Sequence, residues 1–305
     1  MESFRSVGER LRNWGRWGAD DERGTMNYVT PEKLVAAAQL VRTGKVFDLG
    51  IPFDEAGPQP GGGRINPVHL MSQTGDRQLF PGGFRYADDY IFMPLQCATQ
   101  WDSLAHVYYD DFLYNGFPAK DVTVVGAFHC SIEHQSKGIA GRGVLLDIAR
   151  YKGVEWLDSG YVITPSDLEG TIAAQGGLAV GSGDILVFRT GWRKKFVVEK
   201  SPSAFMDGEP GLGQDCCAWL HEREIAAVAS DNWAIEVLPG EDPDAVFNVH
   251  MVLIRDMGMT LGEIFDLEEL AADCASDKVW EFFFCAPVLK VTGGVGSPIN
   301  PLAFK

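Results

Sequence analysis

Six histidines are spread over 305 residues, so a site that needs imidazole has few places to form. One of them, His106, sits in the segment PLQCATQWDSLAHVYYDDFLYNG (Pro94 to Gly116), where Gln96, Gln100, Asp102 and His106 follow at intervals of 4, 2 and 4. In an extended chain, even spacing turns side chains to one face, so all four are expected to share a face. A carboxylate and an imidazole in a short converging row suit a divalent cation, with the two amides as weaker neutral donors. A buried Asp–His hydrogen bond explains the same D-x-x-x-H spacing without a metal. Downstream, NVHMVLIRDMGMTLGEIFDLEEL carries His250 and, thirteen residues on, Glu263. A core histidine and a glutamate favoured by a helix start are the plain alternative there.

Other chemistries are poorly served. The chain has no G-x-S-x-G elbow, no phosphate-cradling Walker loop and no G-x-G-x-x-G after a strand. Gly61-Gly62-Gly63 follows no strand and leads into no helix, so it reads as loop. Asp231-Asn232-Trp233 lies just past a buried run, at the end of a strand where such sheets carry ligands, which makes Asn232 a candidate for substrate contact. Trp101, Tyr108, Phe112 and Trp233 flank the motifs, either as an apolar wall for a ring substrate or as core aromatics. His221, in WLHERE, reads as a salt-bridge partner beside Glu222 and Glu224. His69, His129 and His134 have no matching partner spacing. Trp14 and Trp17 stand in a polar N-terminal segment that is expected to fold over the site of its own or a neighbouring subunit.

These side chains must be held by alternating strands and helices. Thr30-Pro31 caps and starts a helix that Gly44 closes, and VFDLGI (Val46 to Ile51) follows as a strand. GVLLDIA (Gly143 to Ala149), DILVFRT (Asp184 to Thr190) and IAAVAS (Ile225 to Ser230) are unbroken runs suited to strands buried on both faces. Ser166 to Glu169 has capping-box spacing, as has Thr260 to Glu263 before EIFDLEELAADCA. QDCCAWLHERE (Gln214 to Glu224) reads as helix, and WEFFFCAPVLKV (Trp280 to Val291) as a long closing strand. No composition break or repeat interrupts this order. It predicts a single α/β domain over 1–305, with a mixed, mostly buried β-sheet flanked by helices and residues 1–30 as an N-terminal arm.

Composition narrows the partners. A formal charge of −16 argues against nucleic acid and anionic membranes, which need basic surfaces. An apolar content of 46% argues against disorder. The six cysteines form no C-x-x-C pair and are expected to be free thiols in a reducing compartment. The polar N-terminus lacks the apolar region of a secretory signal, and no run reaches the ~18 apolar residues of a membrane span. A cytoplasmic protein with a small-molecule substrate is the expectation.

Read in order, the chain resembles the metal-dependent cyclase family that includes bacterial-type kynurenine formamidases and isatin hydrolases. That family carries H-x-G-T-H-x-D-x-P-x-H and, much later, a His and a Glu about a dozen residues apart. Here the motif stands as Gln96-Cys97-Ala98-Thr99-Gln100-Trp101-Asp102-Ser103-Leu104-Ala105-His106, followed by His250 and Glu263. WGADDERGTMNYVTPE, GRGVLLDIARYKGVEWL, VGSGDILVFRTGW, WLHEREIAAVASDNWAIEVLP and GGVGSPINPLAFK extend the resemblance over nearly the whole chain. Gln96 and Gln100 replace the family's first two histidines, and Leu104 its proline. The resemblance implies a fold of the swivelling β/β/α type. It also implies a metal held by Asp102, His250 and Glu263, with His106 as general acid/base. Because glutamine offers only a neutral oxygen, one divalent ion is expected instead of two, Mn²⁺ before Zn²⁺, with Gln100 as a further donor. Trp101, Asn232, Trp233 and Gln96 are the expected substrate contacts. The implied reaction is hydrolysis of an amide, formamide or cyclic amide. Lactone hydrolysis, a non-hydrolytic cyclase or dehydratase reaction, and a metal-free binding protein stay open beside it. Relatives are usually oligomers, and the apolar segment WEFFFCAPVL is compatible with a homo-oligomer, a dimer or tetramer.

Overall fold

The runs GVLLDIA, DILVFRT and IAAVAS are rich in branched aliphatic residues, and they form the centre of one nine-stranded sheet. The architecture is that of a computed structural model describing residues 2–77 and 80–305. The sheet strands are β1 (Val46–Asp48), β2 (Gln100–Asp102), β3 (Ala140–Asp147), β4 (Ile185–Arg189), β5 (Ala227–Ser230), β6 (Thr260–Glu263), β7 (Glu281–Cys285), β8 (Gly296–Pro298) and β9 (Leu302–Phe304). They lie in the order β1-β9-β7-β3-β4-β5-β6-β2-β8. The four strands from β3 to β6 are parallel neighbours, and the pairs outside them are antiparallel. This is the expected α/β architecture with a mixed sheet.

Both faces of the central strands are covered. Val144 and Leu146 of β3 and Leu186 and Phe188 of β4 enter one core, while Leu145, Ile185 and Val187 enter the other. That split is the two-residue period of a strand buried on both sides. Helices α1 (Phe4–Leu11), α2 (Pro31–Ala38), α3 (Pro165–Ala174), α4 (Cys216–Glu222) and α5 (Glu268–Asp277) flank the sheet. Leu168 of α3 and Cys216, Cys217 and Leu220 of α4 seal the first core; Leu270, Ala271 and Cys274 of α5 seal the second. All six cysteines are free. Among the described residues, no helix is long and apolar enough to cross a membrane.

Several element boundaries depart from the sequence reading. Helix α3 is capped by Thr164, with Pro165 in its first turn and Asp167 completing the capping box, two residues ahead of the expected Ser166. Thr260 to Glu263 is strand β6, and the following helix starts only at Glu268. The closing strand stops at Cys285, two residues before Pro287, which has no N–H to donate to a ladder. Since β7 lies between β3 and β9, Glu281–Cys285 is an inner strand with no free edge.

The N-terminal arm is built into its own chain. Phe4, Val7 and Leu11 of α1 join the first core, and Thr25 donates to the backbone carbonyls of Ala226 and Gly258 at 2.7 and 3.2 Å. Asn13 donates to the Met257 carbonyl and Trp14 to the Arg255 carbonyl. These contacts brace a helical stretch, Asn248–His250 running into the π-helical turns Met251–Met257, hereafter the His250 helix.

Candidate metal centre

The even spacing of Gln100 and Asp102 becomes a shared face because β2 is extended over those residues. Across the antiparallel ladder, Gln100 stands opposite Glu263 and Trp101 opposite Gly262. Cross-strand partners share a face, so Gln100, Asp102 and Glu263 lie together while Trp101 points the other way. There Trp101 is fully buried, packs against Phe265 and Phe284 and donates to the Ala286 carbonyl at 3.1 Å. A Cβ on Gly262 would lie 2.5 Å from the Trp101 ring, so glycine makes room for it. Thr260, the expected capping residue, instead donates its hydroxyl to the Asp102 carbonyl and ties the two strands.

His250 arrives from the other side. A buried carboxylate, Glu236, accepts the backbone N–H groups of Val249 and His250 at 3.1 and 2.8 Å, closing the start of that helix. Glu236 also meets His250 Nδ1 at 2.5 Å. The opposite ring nitrogen, Nε2, then lies 3.1 Å from Glu263 Oε1 and 3.9 Å from Asp102 Oδ2. One ligand atom each from Asp102, His250 and Glu263 falls within 4.8 Å of the others, and all three residues are buried. His106 Nε2 stands 3.8 Å from Asp102 Oδ1 with its side chain one-fifth exposed (20%). Gln100 Nε2 donates to Glu263 Oε2 at 2.6 Å.

The residues fit a divalent cation. Both oxygens of Asp102 and the Gln100 carbonyl oxygen are buried without a hydrogen-bond donor, an arrangement that costs free energy unless a cation or donor meets it. Two carboxylates, an imidazole and an amide oxygen form a hard, oxygen-rich donor set that suits Mn²⁺ or Zn²⁺. Burial pushes the Asp102 carboxyl up to about 6, against the pull of His106, His250 and Arg64. Burial also lowers His106, with Arg64 and His250 adding to the effect, which favours a neutral ring able to accept a proton. His250 goes the other way: burial alone would lower it, but Glu236 and Glu263 hold it at about 10.

A cavity of about 100 Å³ opens onto the cluster, lined by Arg64, His106, Val107, Trp233, Ala234, Phe247, His250 and Glu263. A larger cleft of about 390 Å³, beside Arg150 and Trp280, contains none of the three ligand residues. Of the expected substrate contacts, Trp233 reaches the cavity, placed by Glu209, which accepts the backbone N–H groups of Trp233 and Ala234 at 2.6 and 2.7 Å. Asn232 does not. It is buried in the turn, donating to the Pro210 carbonyl and accepting from Ile235 N–H. Gln96 lies before β2, outside the lining, and its carbonyl accepts from Arg64 at 3.3 Å. Tyr108 and Phe112 are surface side chains away from the cavity. The arm packs behind the His250 helix and not over the cavity mouth, and Glu224 pairs with Arg16 in place of His221. Sequence reasoning missed Glu236, Phe247 and Arg64; the last hid in a Gly/Pro-rich segment read as plain loop.

Residues 47–237 match the cyclase family. A crystal structure of a novel cyclase superposes with a TM-score of 0.90 at 46% identity, over 98% of this chain and 99% of its own. The chain belongs to the cyclase family. Isatin hydrolase A from Labrenzia aggregata, bound to benzyl benzoate, shares the fold at a TM-score of 0.64 and 18% identity, over 89% of this chain and 97% of that one. A predicted metal-dependent hydrolase from Bacillus stearothermophilus does so at 0.52 and 17%, over 86% and 98%. No curated protein matches the chain.

Proposed function

We propose that this protein is a metal-dependent hydrolase that opens an amide, formamide or cyclic amide bond, with one metal ion per chain. The observation that carries the reading is the convergence of Asp102, His250 and Glu263 within 4.8 Å beside a cavity that His106 also lines. Two structures of the same fold bear the names of hydrolases. A divalent cation held by Asp102, His250 and Glu263, with Gln100 as a neutral fourth donor, would polarise the substrate carbonyl and bring the pKa of a water from 15.7 toward about 7. His106, kept neutral by burial, takes a proton from the attacking water at Nε2 and returns it to the leaving nitrogen as the C–N bond breaks. Trp233, Phe247 and Val107 wall the cavity for an apolar substrate body. Arg64 is the one lysine or arginine in that lining and suits the carboxylate that hydrolysis creates.

Metal analysis of the purified protein, followed by proton release on a panel of amides, lactams and lactones, tests this reading. One equivalent of Mn²⁺ or Zn²⁺ with turnover of amides or lactams supports it. Turnover that survives complete removal of metal overturns it, and turnover of lactones alone transfers the scaffold to ester chemistry.

A further inference from the structure

The Gly/Pro-rich segment ahead of β2 is a built loop. Asn66 clasps its base: Oδ1 accepts the Gln59 N–H at 2.9 Å, and Nδ2 donates to the Glu55, Gly57 and Gln59 carbonyls at 3.1, 3.0 and 3.1 Å. Gln59 is buried and donates to the Cys97 carbonyl at 2.9 Å, which ties the loop to the segment entering β2. This loop brings Arg64 into the cavity lining beside His106, His250 and Glu263. Arg64 is half-buried there. Its Nη1 donates to the Gln96 carbonyl at 3.3 Å, and its guanidinium carbon lies 5.4 Å from the centre of the Trp233 ring. Neither contact neutralises it. Among the described residues Arg64 has no ion-pair partner, and its Nε–Nη2 edge meets no acceptor. A half-buried charge of this kind costs free energy until an anion meets it. The Trp233 indole N–H is likewise buried without an acceptor. Apart from His106, His250 and Glu263, the lining side chains are donors or apolar. They call for an acceptor, and an open guanidinium edge matches the two oxygens of a carboxylate as a fork.

We infer that the substrate enters already carrying a carboxylate besides its scissile bond, and that Arg64 selects it. The inference rests on the hydrolase reading above and names the substrate class for it. Hydrolysis supplies a carboxylate only once the C–N bond has broken, whereas a substrate that brings its own fills the bare edge from the start. Trp233, Phe247 and Val107 then enclose the apolar body between the two polar ends. Gly61-Gly62-Gly63, just ahead of Arg64, has open space where side chains would stand. The loop tip can therefore draw back for a ligand larger than the cavity of about 100 Å³ while Asn66 keeps the base closed.

The test is calorimetry on the full chain with its metal as purified. The probes are 2-, 3- and 4-acetylbenzoate, whose ketone stands in for an amide carbonyl but cannot be hydrolysed. Each is set beside the nitroacetophenone of the same shape, which lacks the charge. At least one acetylbenzoate should bind about 10- to 100-fold more tightly than its nitro counterpart, and Arg64→Gln should bring that ratio close to one. Equal binding of every pair in the wild type overturns the inference, as does the absence of binding by any probe. A ratio that survives Arg64→Gln overturns it too, because the metal alone then captures the carboxylate. Should Arg64→Gln not fold, Arg64→Lys decides: it keeps the charge and loses the fork, so the ratio should narrow, and an undiminished ratio sinks the proposal. Turnover of the amide panel is scored apart. A charge preference without turnover supports Arg64 as the selector and removes the hydrolase reading alone; turnover without the preference removes this inference alone.

Discussion

His250 is gripped by carboxylates at both ring nitrogens, Glu236 on Nδ1 and Glu263 on Nε2, and only the second faces Asp102. Glu236 therefore fixes which nitrogen is presented to a cation, the role that carboxylates behind metal-binding histidines commonly fill. Glu236→Gln should weaken metal binding by about 10- to 100-fold while leaving His106 in place, as read by titration of the metal-free protein. Acidity should act on the same cluster. His250 is held at about 10, so the incoming cation must displace a proton, and each fall in pH strengthens the competitor. Affinity should drop by up to about tenfold per pH unit, more steeply below about 6 where Asp102 also protonates. Calorimetry in buffers of different ionisation enthalpy would count the released protons. His106→Asn should lower kcat by about 10²- to 10⁴-fold with metal content unchanged; unchanged turnover would make the residue structural. Asp102, His250 and Glu263 were legible as a set through the family resemblance, since by type and spacing alone each had a plain structural reading. Glu236 was visible as a lone acid between Ile235 and Val237, but its partner is fixed by the turn at Asn232, which no spacing rule encodes.

Capping shows what local sequence can and cannot decide about elements. Thr164, Pro165 and Asp167 start α3, and Thr164 accepts from Asp167 N–H while Asp167 accepts from Thr164 N–H. The rival box two residues later has the same spacing, but Pro165 fits the first helical turn, where its missing N–H costs nothing, and that selects Thr164. Thr164→Ala should destabilise the protein by about 1 kcal/mol in urea unfolding. Burial raises the Asp167 pKa, but Lys152 and Thr164 outweigh it, so the folded value lies below the ordinary 3.8. The contribution of that carboxylate is therefore complete above the unfolded value and is lost as pH falls through the folded one. Asp167→Asn should flatten this part of the acid dependence. Thr260-x-x-Glu263 has capping spacing as well, yet forms β6, because pairing with β5 and β2 outweighs local preference.

At the scale of the molecule, the arm is where sequence separation hid the most. Its polar composition suggested a flap over a site, whereas Asn13 and Trp14 bond to carbonyls more than two hundred residues away, on the back of the helix that carries His250. Asp256, fully buried on that helix, accepts from Arg12, Arg255 and Tyr109, and Phe4 meets Tyr109 edge to face at 5.2 Å. Removing residues 2–16 takes away Arg12, uncovers the Asp256 carboxylate and strips Phe4, Val7 and Leu11 from the core. Losing a partner of a buried charge alone costs about 3–5 kcal/mol, although Arg255 and Tyr109 would retain part of that here. The truncated chain should therefore unfold at clearly lower urea concentration and, because the His250 helix loses its backing, bind metal more weakly in the same preparation. A flap over the cavity would behave differently, raising KM while stability and metal affinity stayed level. Parallel urea and metal titrations on the truncated and full-length chains distinguish the two, and an arm that braces His250 requires both curves to move together.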